Sequence, residues 1–275
     1  MTAGGGTGKR SNLQLRVFSA IVLIIVVLAA TWFGGFWFRV FVVAMSGGIF
    51  HEWLDMRKDD ASGELYGWPA FAVLAIILLL DAPLLGCVAA LGAGLVWLFA
   101  AWAFSRATLW PLWGLLYAGL PAIALSFLRE EGLVLVILLF VVVWATDIMA
   151  YFTGRSLDGP KLAPSISPGK TWSGAIGGAA FGLAGGLAVA AFVAGASLGV
   201  LVTAGLISLA LSVVSQAGDL FESAVKRRNG VKDSGAIIPG HGGVMDRVDG
   251  LIPAAILLYA ATLVLGPSVE PLSPF

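Results

Sequence analysis

The sequence predicts an all-α fold: a polytopic transmembrane helix bundle of about nine spans, with the N-terminus cytoplasmic. Three observations carry that prediction. Of 275 residues, 59% are hydrophobic and 12% charged, about half the roughly 25% charged share of soluble domains, and the mean hydropathy is +0.95. The apolar residues stand in continuous blocks near the ~20 residues that cross a bilayer as a helix. A transmembrane barrel would need alternating stretches instead, and backbone groups in lipid must be satisfied within their own segment. Finally, the basic residues segregate to one side when the spans are alternated.

The first span, 15–33, follows Lys9, Arg10 and Arg16. It reads as a retained helix and not a cleaved signal, because the run is long and a second one, 36–54, follows at once. His51 and Glu52 close that second run and read as a solvated helix end. The third span, 67–81, is the shortest. Spans four and five, 85–104 and 109–128, carry Trp97, Trp102, Trp110 and Trp113 near their ends, as interfacial anchors do. Cys87 sits in an apolar run and reads as a small buried hydrophobe; a single cysteine excludes an internal disulfide or a cysteine metal cluster. Span six covers 132–152. Span seven, 173–194, centres on GGAAFGLAGG; small residues permit close helix contact, so it is expected to be packed in protein. Spans eight and nine cover 197–218 and 250–267, and the PLSPF end reads as a loose tail. With the N-terminus inside, only Arg39 and Arg129 of the sixteen Lys and Arg residues fall outside, as the positive-inside rule requires. The chain reads as one integral membrane domain, with apolar spans in 1–131 and a polar, chemistry-bearing half in 132–267. A net charge of zero implies no global attraction to nucleic acid.

Four polar features lie in the second half. Ser208, Ser212, Ser215, Gln216, Asp219, Glu222, Ser223 and Lys226 share one face of a 3.6-residue helix. The serines fit helix–helix glue, whereas a carboxylate at the membrane edge needs a cation or a proton. The segment 219–250 interleaves Asp219, Glu222, Asp233, Asp246 and Asp249 with Lys226, Arg227, Arg228, Lys232 and Arg247 around glycines and Pro239. Carboxylates that hold Mg2+ beside bases that neutralise phosphate suit a metal–phosphate site. Gly240, Gly242 and Gly243 would let backbone N–H groups approach phosphate. Asp249 is also placed to cap span nine. In DIMAYFTGR, Asp147, Tyr151 and Gly154 share a face, and Asp147 fits either a site role or a structural ion pair. SPGKTWSG, 167–174, is not a nucleotide P-loop, because Pro164 stands where the first glycine belongs and no strand precedes it. It reads as a loop feeding a helix N-terminus, an anion site with Ser167, Lys170 and Thr171 as donors. His241 fits either a catalytic or a loop-bonding role.

The run SAVKRRNGVKDSGAIIPGHGGVMDRVD, 223–249, resembles the signature of the phosphatidate cytidylyltransferases, or CDP-diacylglycerol synthases. Each fixed position of that pattern is met, by Ser223, Lys226, Arg227, Lys232, Asp233, Gly235, Ile238, Pro239, His241, Gly242, Gly243, Asp246, Arg247 and Asp249. DIMAYFTGR and SPGKTWSG resemble upstream motifs of the family, although Ser173 departs from the acid or amide common there. The resemblance implies the reaction CTP + phosphatidate → CDP-diacylglycerol + pyrophosphate with Mg2+, in a bacterial inner membrane, by a homodimer of nine-helix protomers whose active site faces the cytoplasm. It points to Asp219 and Asp246 as metal ligands, with Asp249 close by holding the same one or two ions. Lys226, Arg227, Lys232 and Arg247 would then bind the triphosphate and the lipid phosphate. Asp147, Ser223, His241, Gly242, Gly243 and the Lys170 segment would complete the substrate site. Two rivals differ in kind: a transporter, which would show an inverted repeat, and a CDP-alcohol phosphotransferase, whose signature is absent.

Overall fold

The computed structural model describes residues 7–57, 60–193 and 197–266; the tail ending in PLSPF lies outside them. Ten α-helices form among the described residues: α1 (Thr7–Phe33), α2 (Gly35–Asp55), α3 (Trp68–Leu79), α4 (Leu84–Ser105), α5 (Trp110–Glu131), α6 (Leu133–Leu157), α7 (Trp172–Val193), α8 (Leu198–Arg228), α9 (Met245–Val248) and α10 (Leu251–Leu265). A π turn, Gly63–Gly67, leads into α3. All but the four-residue α9 stand at the nine segments expected from the sequence. Six of them, α1 and α4 to α8, are long and apolar enough to cross a membrane, and α3 and α10 are shorter apolar helices. α2 has the length, but its 21 residues include Arg39, Glu52 and Asp55.

The breaks follow from local chemistry. Gly34 and Gly35 take positive φ between α1 and α2, a turn that costs glycine little. Prolines at the first helical positions start α3 and α5, where the missing N–H has no intrahelical role. α8 has 31 residues, or about 46 Å at 1.5 Å per residue. That exceeds the ~30 Å hydrocarbon thickness, so its C-terminal turns, which carry the charges, project past the apolar zone.

Leu115, Leu128, Leu135, Leu138 and Leu139 of α5 and α6, with Ile49 and Phe50 of α2, form the centre of the core. At one end, Arg39 pairs with Asp81 and with Glu130, the latter at 2.9 Å, and Arg129 donates to the carbonyls of Thr31 and Trp32. The two bases expected on the far side thus meet at one end of the bundle. At the other end Trp110 stacks on Trp53 with centroids 4.6 Å apart, each indole N–H bonded to the other's carbonyl. Trp110 is therefore an internal staple and not the lipid anchor expected, while Trp97, Trp102 and Trp113 stay exposed. Cys87 is buried, as expected.

The segment 161–171 corrects the reading of a plain loop. β1 (Lys161–Ala163) and β2 (Ser167–Thr171) form a small antiparallel hairpin that pairs Lys161 with Thr171 and Ala163 with Ser167. α7 then returns antiparallel to α6 on a stripe of buried glycines, Gly174, Gly178, Gly182 and Gly186. A Cβ at Gly178 would stand 2.8 Å from the Thr146 carbonyl oxygen, and one at Gly174 2.7 Å from that of Ala150. α8 closes on the same stripe: Thr146 Oγ1 donates to Ser212 Oγ at 2.7 Å, and Ser208 and Ser212 lie against Gly186 and Gly182. The serine stripe is helix–helix glue. The packing of α7 is one-sided, for Ile176 and Phe181 on its other face are exposed.

Gly178→Ala is therefore expected to destabilise by about 1–3 kcal/mol through overpacking, despite alanine's better helix propensity. Gly92→Ala, where a Cβ meets nothing within 4 Å, should be neutral or mildly stabilising. Thermal unfolding of both variants in detergent checks the difference.

Candidate active site

Where α6 ends, the hairpin turns and α7 begins, the three pieces and α8 enclose an open cleft of about 590 Å³. Asp147, Tyr151 and Arg155 line it from α6, Ser167, Lys170 and Thr171 from β2, and Gln216 and Asp219 from α8. The Lys170 ammonium forms an ion pair across it with Asp219. The hairpin is held rigidly. Trp172 N–H donates to the Pro160 carbonyl at 3.0 Å, and Ser173 Oγ donates to the Asp158 carbonyl. Thr171 Oγ1 accepts the Gly174 N–H at 3.1 Å, an N-cap that takes up one of the free donors of α7. Gly154 lets the two helices meet there, since a Cβ on it would stand 2.8 Å from Thr171 Oγ1.

A third carboxylate arrives from the far side of α8. Gly218 lies so close to the start of α10 that a Cβ would stand 2.5 Å from both the Asp249 carbonyl and Pro253. This contact brings Asp249 beside Asp219. Burial first, and the Asp219 charge next, push the Asp249 carboxyl up to about 7, with Asp147 adding to the effect; the Gly250 N–H and Lys170 oppose it.

The loop between α8 and α10 folds around two other carboxylates. Lys226 Nζ bridges Glu222 Oε1 at 2.9 Å and Asp246 Oδ1. Asp246 Oδ2 accepts the N–H groups of Ser234 and Gly243, both at 3.0 Å. Burial alone would raise the Asp246 carboxyl, but Lys226 and these two N–H groups hold it below the usual carboxylate range. Arg247 donates twice to the His241 carbonyl, at 3.1 and 2.7 Å. Arg227 donates to the Val231 carbonyl at 3.2 Å. Glu52 of α2, 1% exposed, accepts from Ser234 Oγ at 2.8 Å, Val244 N at 2.7 Å and Met245 N at 2.8 Å. The expectation of a solvated helix end thus fails for Glu52, though His51 beside it is exposed.

A sequence profile described as the Cytidylyltransferase family matches residues 14–265. The chain belongs to this family. It is 51% identical over 256 residues to a phosphatidate cytidylyltransferase of Brucella abortus, covering 90% of this chain and 93% of the relative. It is 31% identical over 261 residues to one of Rickettsia bellii, covering 91% of each. A third, of Staphylococcus saprophyticus, is 44% identical over 139 residues, half of each chain.

Within this cytidylyltransferase, the residues expected from sequence divide into two groups. Asp147, Ser167, Lys170, Thr171 and Asp219 line the cleft, and Ser223 donates to Asp219 at 3.4 Å. Lys226 and Asp246 form an internal ion pair, Arg227 and Arg247 bond loop carbonyls, and Lys232 is exposed on the loop. Gly242 and Gly243 make room for carboxylates: a Cβ on Gly242 would stand 3.1 Å from Asp246 Oδ2, and one on Gly243 would collide with Glu52 and Ser234. His241 acts through its backbone, and its Nδ1 is buried without a partner. The sequence reading assigned no cleft role to Arg155 or Lys161, although Arg155 ends DIMAYFTGR and Lys161 lies between that motif and SPGKTWSG. It missed Glu52 as well, which no local pattern distinguishes from any polar helix end.

Among the described residues no three His, Cys, Asp or Glu side chains converge as a ready-made metal cage. Mg2+ keeps waters and phosphate oxygens and takes one or two carboxylates. Asp219 and Asp249 supply such oxygens. Asp246, the other ligand expected from the sequence, already accepts from Lys226 and two N–H groups.

Because the folded Asp246 carboxyl sits below its unfolded value of about 4, its contribution to stability is present above that pH and lost as pH falls through the folded value. The thermal stability of Asp246→Asn is expected to fall less steeply with decreasing pH than that of the parent, read as Tm by circular dichroism in detergent across acid pH.

Proposed function

We propose that this chain is a phosphatidate cytidylyltransferase, converting CTP and phosphatidate to CDP-diacylglycerol and pyrophosphate for phospholipid synthesis. The observation that carries the reading is the cleft at the end of α6, α7 and α8, where Asp219 and Lys170 face each other with Asp147 and Asp249 in range. Its walls hold both signs of charge, as a site for nucleotide phosphates requires.

In the reaction an oxygen of the lipid phosphate attacks the α-phosphorus of CTP. A new P–O bond forms, the α–β anhydride bond breaks, and pyrophosphate carries the electron pair away. Asp219 and Asp249 would hold Mg2+, which when bound would neutralise charge on the phosphate oxygens. Lys170, freed from its pair with Asp219, takes phosphate oxygens in place of the carboxylate. Arg155 and Lys161 at the cleft mouth attract the anionic substrates. Phosphatidate is already ionised at neutral pH, so the mechanism needs no dedicated general base. The protein lies in a bacterial inner membrane as a homodimer, crosses it nine times, and turns the cleft to the cytosol. The positive-inside distribution supports that orientation, and the open apolar face of α7 suits lipid or a second copy.

Purified protein with CTP, phosphatidate and Mg2+ should release pyrophosphate and form CDP-diacylglycerol. Chelation should abolish the reaction and added Mg2+ restore it. Asp219→Asn is expected to lower kcat by about 100-fold or more, the scale of losing an electrostatic group at a transition state, while Lys170→Gln should also raise the KM for CTP. Wild-type turnover in Asp219→Asn would sink the assignment.

A further inference from the structure

Glu52 stands apart from the cleft and belongs to the half of the chain that carries little chemistry, yet it is among the most deeply buried acids in the bundle. Its three donors come from two places in the loop, Ser234 at one end and Val244 with Met245 at the other. The carboxylate therefore closes the loop on itself. Two glycines make the space. A Cβ on Gly235 would stand 2.8 Å from Glu52 Oε1, and one on Gly243 would overlap the carboxylate. On the same helix, Gly48 receives Val244, whose Cγ2 would lie 3.1 Å from a Cβ there. The Val244 and Met245 N–H groups open α9, and one turn later the chain reaches Asp249, which presses on Gly218 beside Asp219.

We propose that Glu52 is a positioning residue of the nucleotidyl-transfer site: from α2 it holds the loop 234–245 and, through α9, sets where Asp249 stands against Asp219. The inference rests on the proposed cytidylyltransferase activity. Apolar anchors act beside Glu52: Met245 is fully buried in the core, and Val231 and Val244 pack against that core. Two lesser ties act in the same sense. Arg57 Nε donates to Asn229 Oδ1 at 3.2 Å, and Ser19 Oγ donates to the Pro239 carbonyl at 2.7 Å. Asp246, next to the loop in sequence, also joins its ends through the Ser234 and Gly243 N–H groups; Glu52 does so from a separate helix. The carboxylate is required as such, because all its partners are donors. Glutamine in its place would turn an NH2 group toward another N–H or O–H.

The test uses the full chain in detergent with Glu52→Gln and Ser234→Ala, and three readouts: kcat, KM for CTP, and hydrogen exchange resolved by peptide. Glu52→Gln is expected to lower kcat by about 100-fold, the cost of a small misplacement in a catalytic constellation. KM for CTP should rise by less than kcat falls, because Lys170, Arg155 and Lys161 keep their places in the cleft while Asp249 shifts. Exchange should rise in peptides covering 234–246 and stay unchanged in α6 and α7. Ser234→Ala should show the same pattern more weakly. Near-wild-type kcat in Glu52→Gln would overturn the proposal. So would unfolding, or exchange rising throughout the helices, which would make Glu52 a determinant of the fold alone. A wild-type protein that forms no CDP-diacylglycerol would instead overturn the activity on which the inference rests, and the exchange measurement would still report whether Glu52 holds the loop.

Discussion

The candidate site depends first on how closely α6 and α7 approach. At Gly174 and Gly178 the facing atoms are backbone carbonyls of α6, at separations that leave no space for a side chain. In a membrane bundle no hydrophobic force between helices drives this contact, since lipid is as apolar as leucine; dispersion and small-residue packing do. The consequence is positional. With α6 and α7 locked together, the hairpin between them has one path, and that path carries Lys170 to Asp219. α8 joins through the Thr146–Ser212 hydrogen bond. Asp219 then comes to the cleft because it stands seven residues, nearly two turns, past Ser212 on the same face.

The second constraint is the disposal of buried charge. Glu52, Glu222, Lys226 and Asp246 all lie inside or close to the interior, where an isolated charge is costly. Lys226 answers two of the carboxylates. Backbone N–H groups of the loop answer Glu52 and also Asp246, so the loop's irregular course follows the carboxylates it surrounds. Removing one partner from such a network leaves the rest unsatisfied, which couples loop shape to charge. Asp219 and Asp249, by contrast, lie near each other with Lys170 as the nearby cation.

Much of this was legible before any coordinates. Helix positions followed from apolar run lengths, because backbone satisfaction in lipid admits few alternatives. The polar face of α8 followed from spacing alone, as did the acidic and basic content of 219–250. Local reading misjudged other residues because their roles are set by distant partners. Glu52 meets residues some 180 positions away. Trp110 meets Trp53, not lipid. Gly242 and Gly243 looked like part of a phosphate cradle, and a Cβ on either would meet a carboxylate.

The amino-acid order by itself determined the class of the protein, its helix positions, its family and the inventory of ionisable groups at one end of the bundle. Those properties depend on composition, period and spacing along one chain. Only the tertiary structure decided which of the groups are free to act. A carboxylate answered by Lys226 and N–H groups and one facing an open cleft read identically in sequence; they differ solely in what the other helices bring within hydrogen-bonding distance.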